Sequence, residues 1–300
     1  MFGYLDLLAE LDGLKKLGVE VSSIGKSTLG QDIPYVFVGQ KTGDYMIVQA
    51  SMHAREHITA LLCLCQAKHL LTSNAKMLGG IYFVPMVNPD GVRLCQEGVG
   101  FVQDKVVKNN LVAINGNSHD CSLWKANANG VDINVNFDAN WGSGEQNVFY
   151  KASQNYVGSK ACSEVETQAL VDFTQKINPR VTLSYHCKGE VVYWYFGQTR
   201  HRKWRDQRYA EAIAGYTGYA LVDDAGGSAG GYKDWCIQAM RVPAYTIEVG
   251  CDDFAHPFPY SQFEKILQQN LDLPRKLLNS VIRDREKLVK GGLLSAMDLD

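Results

Sequence analysis

Tyr45-Met46-Ile47-Val48-Gln49-Ala50-Ser51-Met52-His53-Ala54-Arg55-Glu56-His57 is the stretch that decides the fold, and it runs into an apolar segment from Ile58 to Leu71. The first six residues read as a strand, and the segment after the link has the length and composition of a helix. The link carries chemistry. His53 and Glu56 stand three residues apart, so one turn of backbone aims an imidazole and a carboxylate at one point. Mixed nitrogen and oxygen donors suit Zn²⁺, which takes both at about 2.0–2.2 Å. Two ligands do not make a site, so a third ligand, a base and substrate-holding groups must come from elsewhere in the chain.

Working outward toward the start, leucines at 5, 7, 8, 11, 14 and 17 predict a helix over residues 5–17 that Gly18 ends. Strands are expected over residues 19–24 and 33–38. The turn between them, Gly25-Lys26-Ser27-Thr28-Leu29-Gly30-Gln31, lacks the spacing of a phosphate-binding loop and is not read as one. Working toward the end, residues 56–73 predict a helix. Residues 80–87 form a mostly apolar strand of the kind covered on both faces. Asn88-Pro89-Asp90-Gly91 carries a turn signal. From Cys95 to Gly130 no periodicity is evident, and a long irregular loop lining a cleft is expected.

A helix over residues 163–177 opens with Ser163 and Glu166 at capping-box spacing. Strands are expected over 181–186, 190–196 and 244–249. Helices are expected over 204–216 and 232–239, with a Gly-rich loop over 226–231. A long helix over 260–290 is expected to break or bend at Pro274, and the tail beyond it to fray. Alternating strands and helices, several strands apolar throughout, predict an α/β fold. The expected sheet is twisted, mixed and mostly parallel, with helices on both faces. No composition shift or repeat divides the chain, so one domain over residues 1–300 is expected.

Hydrophobic residues make up 46% and charged residues 21%, ordinary for a globular chain with a sizeable core. A net charge of −2 without a basic block points away from nucleic acid and anionic membranes. No apolar run approaches the roughly 18 residues of a membrane span. The first six residues have no basic start and no long apolar core, so no signal peptide and a cytoplasmic location are expected. Eight cysteines in a chain this large, none in CxxC spacing, are read as free thiols in a reducing compartment. Cys187 and Cys251 are expected beside the site.

His186 ends a predicted strand as His53 follows one, and in open α/β sheets functional groups gather at the carboxyl ends of strands. Two such strands side by side bring His186 onto the His53–Glu56 pair. Three protein ligands with one open position are the pattern of a catalytic zinc. Glu248 lies in the buried-looking strand Tyr245-Thr246-Ile247-Glu248-Val249. A carboxylate there costs several kcal/mol if buried and unpaired. Either a salt bridge to Arg241 or a lysine satisfies it, or it serves as a base that moves a proton from water to a leaving amine.

The ordered set His53-x-x-Glu56, Asn88-Pro89-Asp90-Gly91, Gly130-Val131-Asp132-x-Asn134-x-Asn136, His186, Asp234-Trp235 and Glu248 resembles the zinc carboxypeptidases of the funnelin type. The similarity runs from about residue 4 to residue 285. The resemblance implies a zinc carboxypeptidase fold and one Zn²⁺ per chain held by His53, Glu56 and His186. It implies Glu248 as general base and acid, and Arg55 and Asn134 as substrate contacts. The chain departs from the pancreatic pattern at three places. Asn134-Val135 lacks the arginine that holds a substrate's terminal carboxylate. Trp124-Lys125 puts a lysine where an arginine polarises the scissile carbonyl, so Lys125 or Arg55 is expected to steady the oxyanion. A lysine there lacks the bidentate fork. Gly226 occupies the position of the family's mobile tyrosine.

Lys233 falls where the family faces the substrate side chain, and a cation there favours a carboxylate-bearing group. The segments Trp124-Lys125-Ala126-Asn127, His186-x-x-Gly189-Glu190 and Gly230-Gly231-Tyr232-Lys233-Asp234-Trp235 resemble most the bacterial γ-D-glutamyl-meso-diaminopimelate peptidase branch. That resemblance implies a short cell-wall peptide (muropeptide) as substrate, with Arg93 and Lys188 as further candidates for binding its charges. Two other readings stand beside it: a zinc deacylase of N-acyl amino acids, and a non-catalytic zinc protein that binds muropeptides.

Overall fold

The structure is a computed structural model that describes residues 1–41, 43–223 and 227–290. Among the described residues eight strands form one sheet: β1 (Val21–Lys26), β2 (Asp32–Gly39), β3 (Tyr45–Ala50), β4 (Gly80–Val84), β5 (Val181–His186), β6 (Val191–Tyr193), β7 (Ala220–Val222) and β8 (Ala244–Glu248). Their spatial order is β1-β2-β4-β3-β5-β8-β6-β7. The central pairs β3–β4, β3–β5 and β5–β8 are parallel, as is β6–β7 at one edge. The pairs β1–β2, β2–β4 and β6–β8 are antiparallel. The sheet is therefore mixed and mostly parallel.

Helices cover both faces. The helices are α1 (Tyr4–Lys16), α2 (Ile58–Thr72), α3 (Pro89–Glu97), α4 (Lys105–Ile114), α5 (Val165–Ile177), α6 (Arg200–Thr217), α7 (Tyr232–Gln238), α8 (Phe263–Asn270) and α9 (Leu273–Lys290). Met46, Val48, Leu183 and Ile247 point to one face and pack with residues of α1, α2, α6, α8 and α9. Ile47, Val84 and Ala244 point to the other and pack with Leu170 and Phe173 of α5 and Trp235 of α7. Met46, Ile47, Val48, Leu183 and Ile247 are fully buried. Each such side chain contributes about 1.5–3 kcal/mol. Two-sided burial explains why these strands read as mostly apolar runs, broken by Gln49, Thr182, Ser184 and Thr246. A third cluster around Leu94, Leu111 and Trp124 gives α3 and α4 a core of their own beside the sheet.

Several local expectations are corrected. Asn88-Pro89-Asp90-Gly91 does not make a free turn. Asn88 caps α3, its side chain accepts the Gly91 N–H, and Pro89 sits in the first turn, where a missing N–H is harmless. The segment from Cys95 to Gly130 contains α4, capped by Asp104 and hidden in the sequence because Leu111 is its one buried residue. The Ser163–Glu166 capping box does not form. Glu164 is the N-cap of α5, and Glu166 is drawn off to accept the Thr28 N–H at 2.8 Å and the Asn127 amide at 3.0 Å. The C-terminal helix, in contrast, breaks beside Pro274 as expected: it is two helices, with Pro274 in the first turn of the second. The short edge strand β7 was not expected. Among the described residues no helix is long and apolar enough to cross a membrane. The eight thiols are free and buried or half-buried. Gly226 and the tail beyond residue 290 lie outside the described residues.

Candidate active site

The site forms where β3, β5 and β8 end together. Parallel pairing puts Ala50 opposite Tyr185 and His186 opposite Glu248. After β3 the backbone turns sharply at Ser51, which has a φ of 48°. The Ser51 N–H donates to Thr59 Oγ1 at 3.0 Å, and that hydroxyl donates to the Glu56 carbonyl at 2.7 Å. This tether to α2 holds the link as a short 3-10 turn over Ala54–Glu56, with His53 at its N-cap. Asn88 adds a second bolt: its amide donates to the Met52 carbonyl at 3.1 Å and to the Ala126 carbonyl at 3.0 Å. The histidine link and the Trp124–Asn127 segment are thereby fixed to each other.

His53 Nδ1 lies 2.8 Å from Glu56 Oε1. His186 Nδ1 lies 3.1 Å from His53 Nδ1 and 3.1 Å from Glu56 Oε2. All three side chains are buried. Donors around a tetrahedral zinc bound at 2.0–2.1 Å stand about 3.3 Å apart, so the spacing suits that ion. The chemistry suits it too. Two ring nitrogens face each other with room for one proton between them at most, and a cation resolves the crowding of lone pairs. His53 and His186 together hold Glu56 well below the usual carboxylate range, against the opposing effect of burial.

Asp132 stands behind His53. Its Oδ1 lies 3.2 Å from His53 Nε2, and its Oδ2 lies 2.8 Å from Lys125 Nζ. It also accepts the Asn134 N–H at 3.1 Å and the Asn155 N–H at 3.2 Å. Burial opposes its charge, but Lys125 and His53 outweigh that and keep it ionised. A carboxylate behind a ligating histidine sets its tautomer and orientation. Asp132 was present in the quoted sequence motif, but without a partner in view it carried no assigned role.

Glu248 is half-exposed to the cavity. Among the described residues its carboxylate has no hydrogen bond or ion pair, so the alternative of an Arg241 bridge is not realised. Burial pushes it up to about 8, although His186 and Lys125 pull it down and Glu56 raises it further. The cavity, of about 200 Å³, is lined by His53, Lys125, Asn134, Lys233, Asp234 and Glu248 among others. Lys125 Nζ is held by Asp132 and, at 3.3 Å, by Asn155 Oδ1. Asn134 Oδ1 accepts the Tyr232 N–H at 3.2 Å, which leaves its amide N–H groups as donors.

Other expected contacts lie apart from the cavity. Arg55 is half-buried, and its Nη1 donates to the Leu123 carbonyl at 3.3 Å and to Gln154 Oε1 at 3.2 Å. Arg93 is drawn to Glu97 one helical turn on, at 2.8 Å, and lies over the Phe101 ring. Lys188 donates to the Asp252 carbonyl at 2.5 Å and pairs with its carboxylate at 3.2 Å. Cys187 is beside the site: its N–H donates to Glu56 Oε2 at 3.3 Å, and burial pushes its thiol up. His256, unmarked in the sequence, is within electrostatic reach of Glu56 and Arg55, and its Nδ1 is buried without a partner.

A helix-flanked mixed sheet carrying a His-Glu-His cluster at its strand ends is the architecture of a zinc peptidase. The chain belongs to the zinc carboxypeptidase family, whose sequence model matches residues 4–273. It is 35% identical over 265 residues to γ-D-glutamyl-L-diamino acid endopeptidase 1 of Lysinibacillus sphaericus. That match covers 83% of this chain and 65% of the enzyme, so the chain spans just under two thirds of that relative's length. It is 26% identical over 223 residues to murein peptide amidase A of Escherichia coli K12, covering 71% and 74% of the two chains. Bovine thrombin-activatable fibrinolysis inhibitor superposes with a TM-score of 0.77 at 19% identity, over 94% of this chain and 97% of that one. That likeness is one of fold.

Proposed function

We propose that this chain is a zinc-dependent peptidase that hydrolyses an amide bond in a short, diaminopimelate-containing cell-wall peptide. The observation that carries the reading is the convergence of His53, Glu56 and His186 with Glu248, unpaired among the described residues and in register across β5 and β8. The names of two relatives, a γ-D-glutamyl-L-diamino acid endopeptidase and a murein peptide amidase, support the substrate class.

His53, Glu56 and His186 would hold one zinc ion, which would supply Lewis acidity toward the scissile carbonyl and the attacking water. Glu248 takes the proton from the attacking water and returns it to the leaving amine; among the described residues no cation is paired with its carboxylate. Lys125, fixed by Asp132 and Asn155, steadies the negative charge that develops on the carbonyl oxygen. Arg55, bonded to the Leu123 carbonyl and Gln154 apart from the cavity, contributes to binding parts of the substrate outside it. Asn134 donates to the substrate from the cavity wall. Val135, where a pancreatic-type enzyme has arginine, removes the fork for a chain-terminal carboxylate, so Lys233 is the cation for substrate acid groups in the cavity. Arg93 and Lys188, already paired with Glu97 and Asp252, act at most on parts of the substrate outside it. Free thiols throughout the fold agree with a cytoplasmic location.

The test is Glu248→Gln. Zinc stays bound, while turnover of a γ-D-glutamyl-diaminopimelate peptide falls by about 10²–10⁴-fold. Undiminished hydrolysis by that variant refutes the assignment. A parallel panel of N-acyl amino acids separates a peptidase from a deacylase.

A further inference from the structure

His186 and Glu248 stand at the carboxyl ends of β5 and β8. The amino ends of the same two strands carry a different set of charges. Arg180 directly precedes β5, and Pro243 directly precedes β8. Beside them lies a second cavity, of about 210 Å³. It is lined by Arg180, by Arg205 of α6, by Arg241 in the link from α7 to β8, and by Asn178, Met240 and Pro243 among others. The six residues of β5 carry the chain from Arg180 to His186, roughly 20 Å at about 3.3 Å per residue. This cavity is therefore at the opposite end of the strands from the His-Glu-His cluster.

Three guanidinium groups around one small space repel one another unless anions meet them. Asp206 Oδ1 accepts from Arg205 Nε at 2.8 Å, and Asp44 Oδ1 accepts from Arg180 Nε at 2.9 Å. The same Asp44 oxygen also accepts from Arg285 Nη1 at 3.0 Å, so its charge is divided. Neither acid lines the cavity, and among the described residues no carboxylate does. The Arg241 carbonyl accepts from Arg205 Nη2 at 3.1 Å, which joins two of the three arginines. The Arg241 guanidinium has no hydrogen bond or ion pair among the described residues. Its backbone has a φ of 58°, in the left-handed region that side chains other than Asn and Asp rarely adopt. The lining residues follow the ends of α5 and α7, and helix carboxyl ends favour a cation nearby. That accounts for Arg180 and Arg241 as charges. It does not account for a third cation brought in from α6, nor for a guanidinium that bonds no carbonyl of either helix.

We propose that Arg180, Arg205 and Arg241 form an anion site for a phosphoryl group, separate from the zinc cluster. A carboxylate is planar and is satisfied by one guanidinium fork. A phosphoryl group carries close to two charges and three acceptor oxygens, so it accepts from several sides at once. Arg241 offers its whole fork, and Arg205 keeps Nη1 beyond its bonds to Asp206 and the Arg241 carbonyl. The Asn178 amide, without a partner among the described residues, adds donors that no acid competes for. Cavities that enclose a drug-sized ligand run to about 300–1,000 Å³, so this one takes a head group and leaves the rest of a larger ligand outside. Nothing in the site depends on the peptidase reading.

The experiment is calorimetry on the zinc-loaded protein with inorganic phosphate, glycerol 3-phosphate and acetate at constant ionic strength. One phosphate per chain is expected to bind, with acetate about tenfold or more weaker. Arg241→Gln removes the exposed, unpaired fork with little risk to folding, and it weakens phosphate binding about tenfold or more. Arg241→Lys, which keeps the charge and loses the fork, falls between the two. Zinc can hold phosphate by itself, so the titration is repeated after zinc is stripped, and binding at the arginines persists. Tighter glycerol 3-phosphate identifies an ester as the ligand, and tighter inorganic phosphate a free anion; either order upholds the site. No binding at millimolar phosphate, equal binding of acetate, equal affinity in Arg241→Gln, or binding lost with the zinc overturns it.

Discussion

The Asp132 carboxylate lies 3.2 Å from His53 Nε2, on the side of the ring away from Glu56 and His186. Its second oxygen holds Lys125 at 2.8 Å, so one buried acid orients a metal-cluster histidine and a cavity cation together. Asp132→Ala is expected to lower zinc affinity by about 10–100-fold. Competition with a chelator of known affinity measures this. Unaltered affinity would mean that His53 keeps its orientation without a carboxylate behind it.

Lys125 is the cation nearest the developing charge in the proposed reaction. Lys125→Met is expected to reduce kcat/KM by about 10²–10³-fold, the range for losing one oxyanion partner, with most of the loss in kcat. Lys125→Arg restores part of it if charge is what matters. Steady-state kinetics on one peptide decides the point: a loss confined to KM would assign Lys125 to ground-state binding.

Gly91 is crowded. A Cβ there would come 2.5 Å from Asn88 Nδ2 and 2.6 Å from the Ala126 carbonyl. Both atoms belong to the bolt that joins the histidine link to the Lys125 segment. Gly91→Ala is expected to destabilise by about 1–3 kcal/mol, the usual cost of overpacking. A fall of several degrees in Tm, with activity per folded molecule also reduced, is the expected readout. An unchanged Tm would show that the segment shifts freely.

Asp90 is buried beside that bolt. Burial raises its carboxyl above the usual value of 3.8, although the Leu29 N–H, bonded at 2.6 Å, opposes the rise. A carboxyl raised in the folded state binds protons that the unfolded chain has released. Its contribution is therefore intact below pH 3.8 and declines as pH climbs through the raised folded value. Asp90→Asn, which keeps an acceptor for Leu29, should gain stability over the unsubstituted protein at neutral pH and lose that advantage in acid. Urea midpoints across pH measure it. A gain independent of pH would point to packing instead.

The central strands were legible because parallel strands buried on both faces are mostly apolar, and in Met46–Ala50, Val181–Tyr185 and Ala244–Ile247 the only uncharged polar interruptions by Gln, Ser or Thr are Gln49, Thr182, Ser184 and Thr246. Helix α4 was not, because its one buried residue, Leu111, makes no period. Pro89-Asp90-Gly91 reads the same in a turn as at a helix start, and what separates the two is Asn88, whose side chain closes on the Gly91 N–H in three dimensions. Glu166 sat at capping-box spacing, but its carboxylate was claimed by Thr28 and Asn127, each far off along the chain. Lys233 was singled out by its place in the family pattern, and Arg93 was a further candidate by charge. Packing placed one against Glu97 on a helix surface and the other in the cavity wall.

What the sequence alone determined was the kind of donor and its local setting: an imidazole and an acid three residues apart after a strand, a histidine ending another strand, an acid inside a third. These follow from spacing and periodicity, which act over a few residues. Only the tertiary structure decided that the donors meet, although Glu56 and His186 stand 130 positions apart along the chain. It also decided that Asp132 serves both His53 and Lys125, and that Lys233 is met by Asp234. The physical reason is that strand register, burial and the partner of each buried charge depend on which distant segments pack together, and no short-range pattern encodes that.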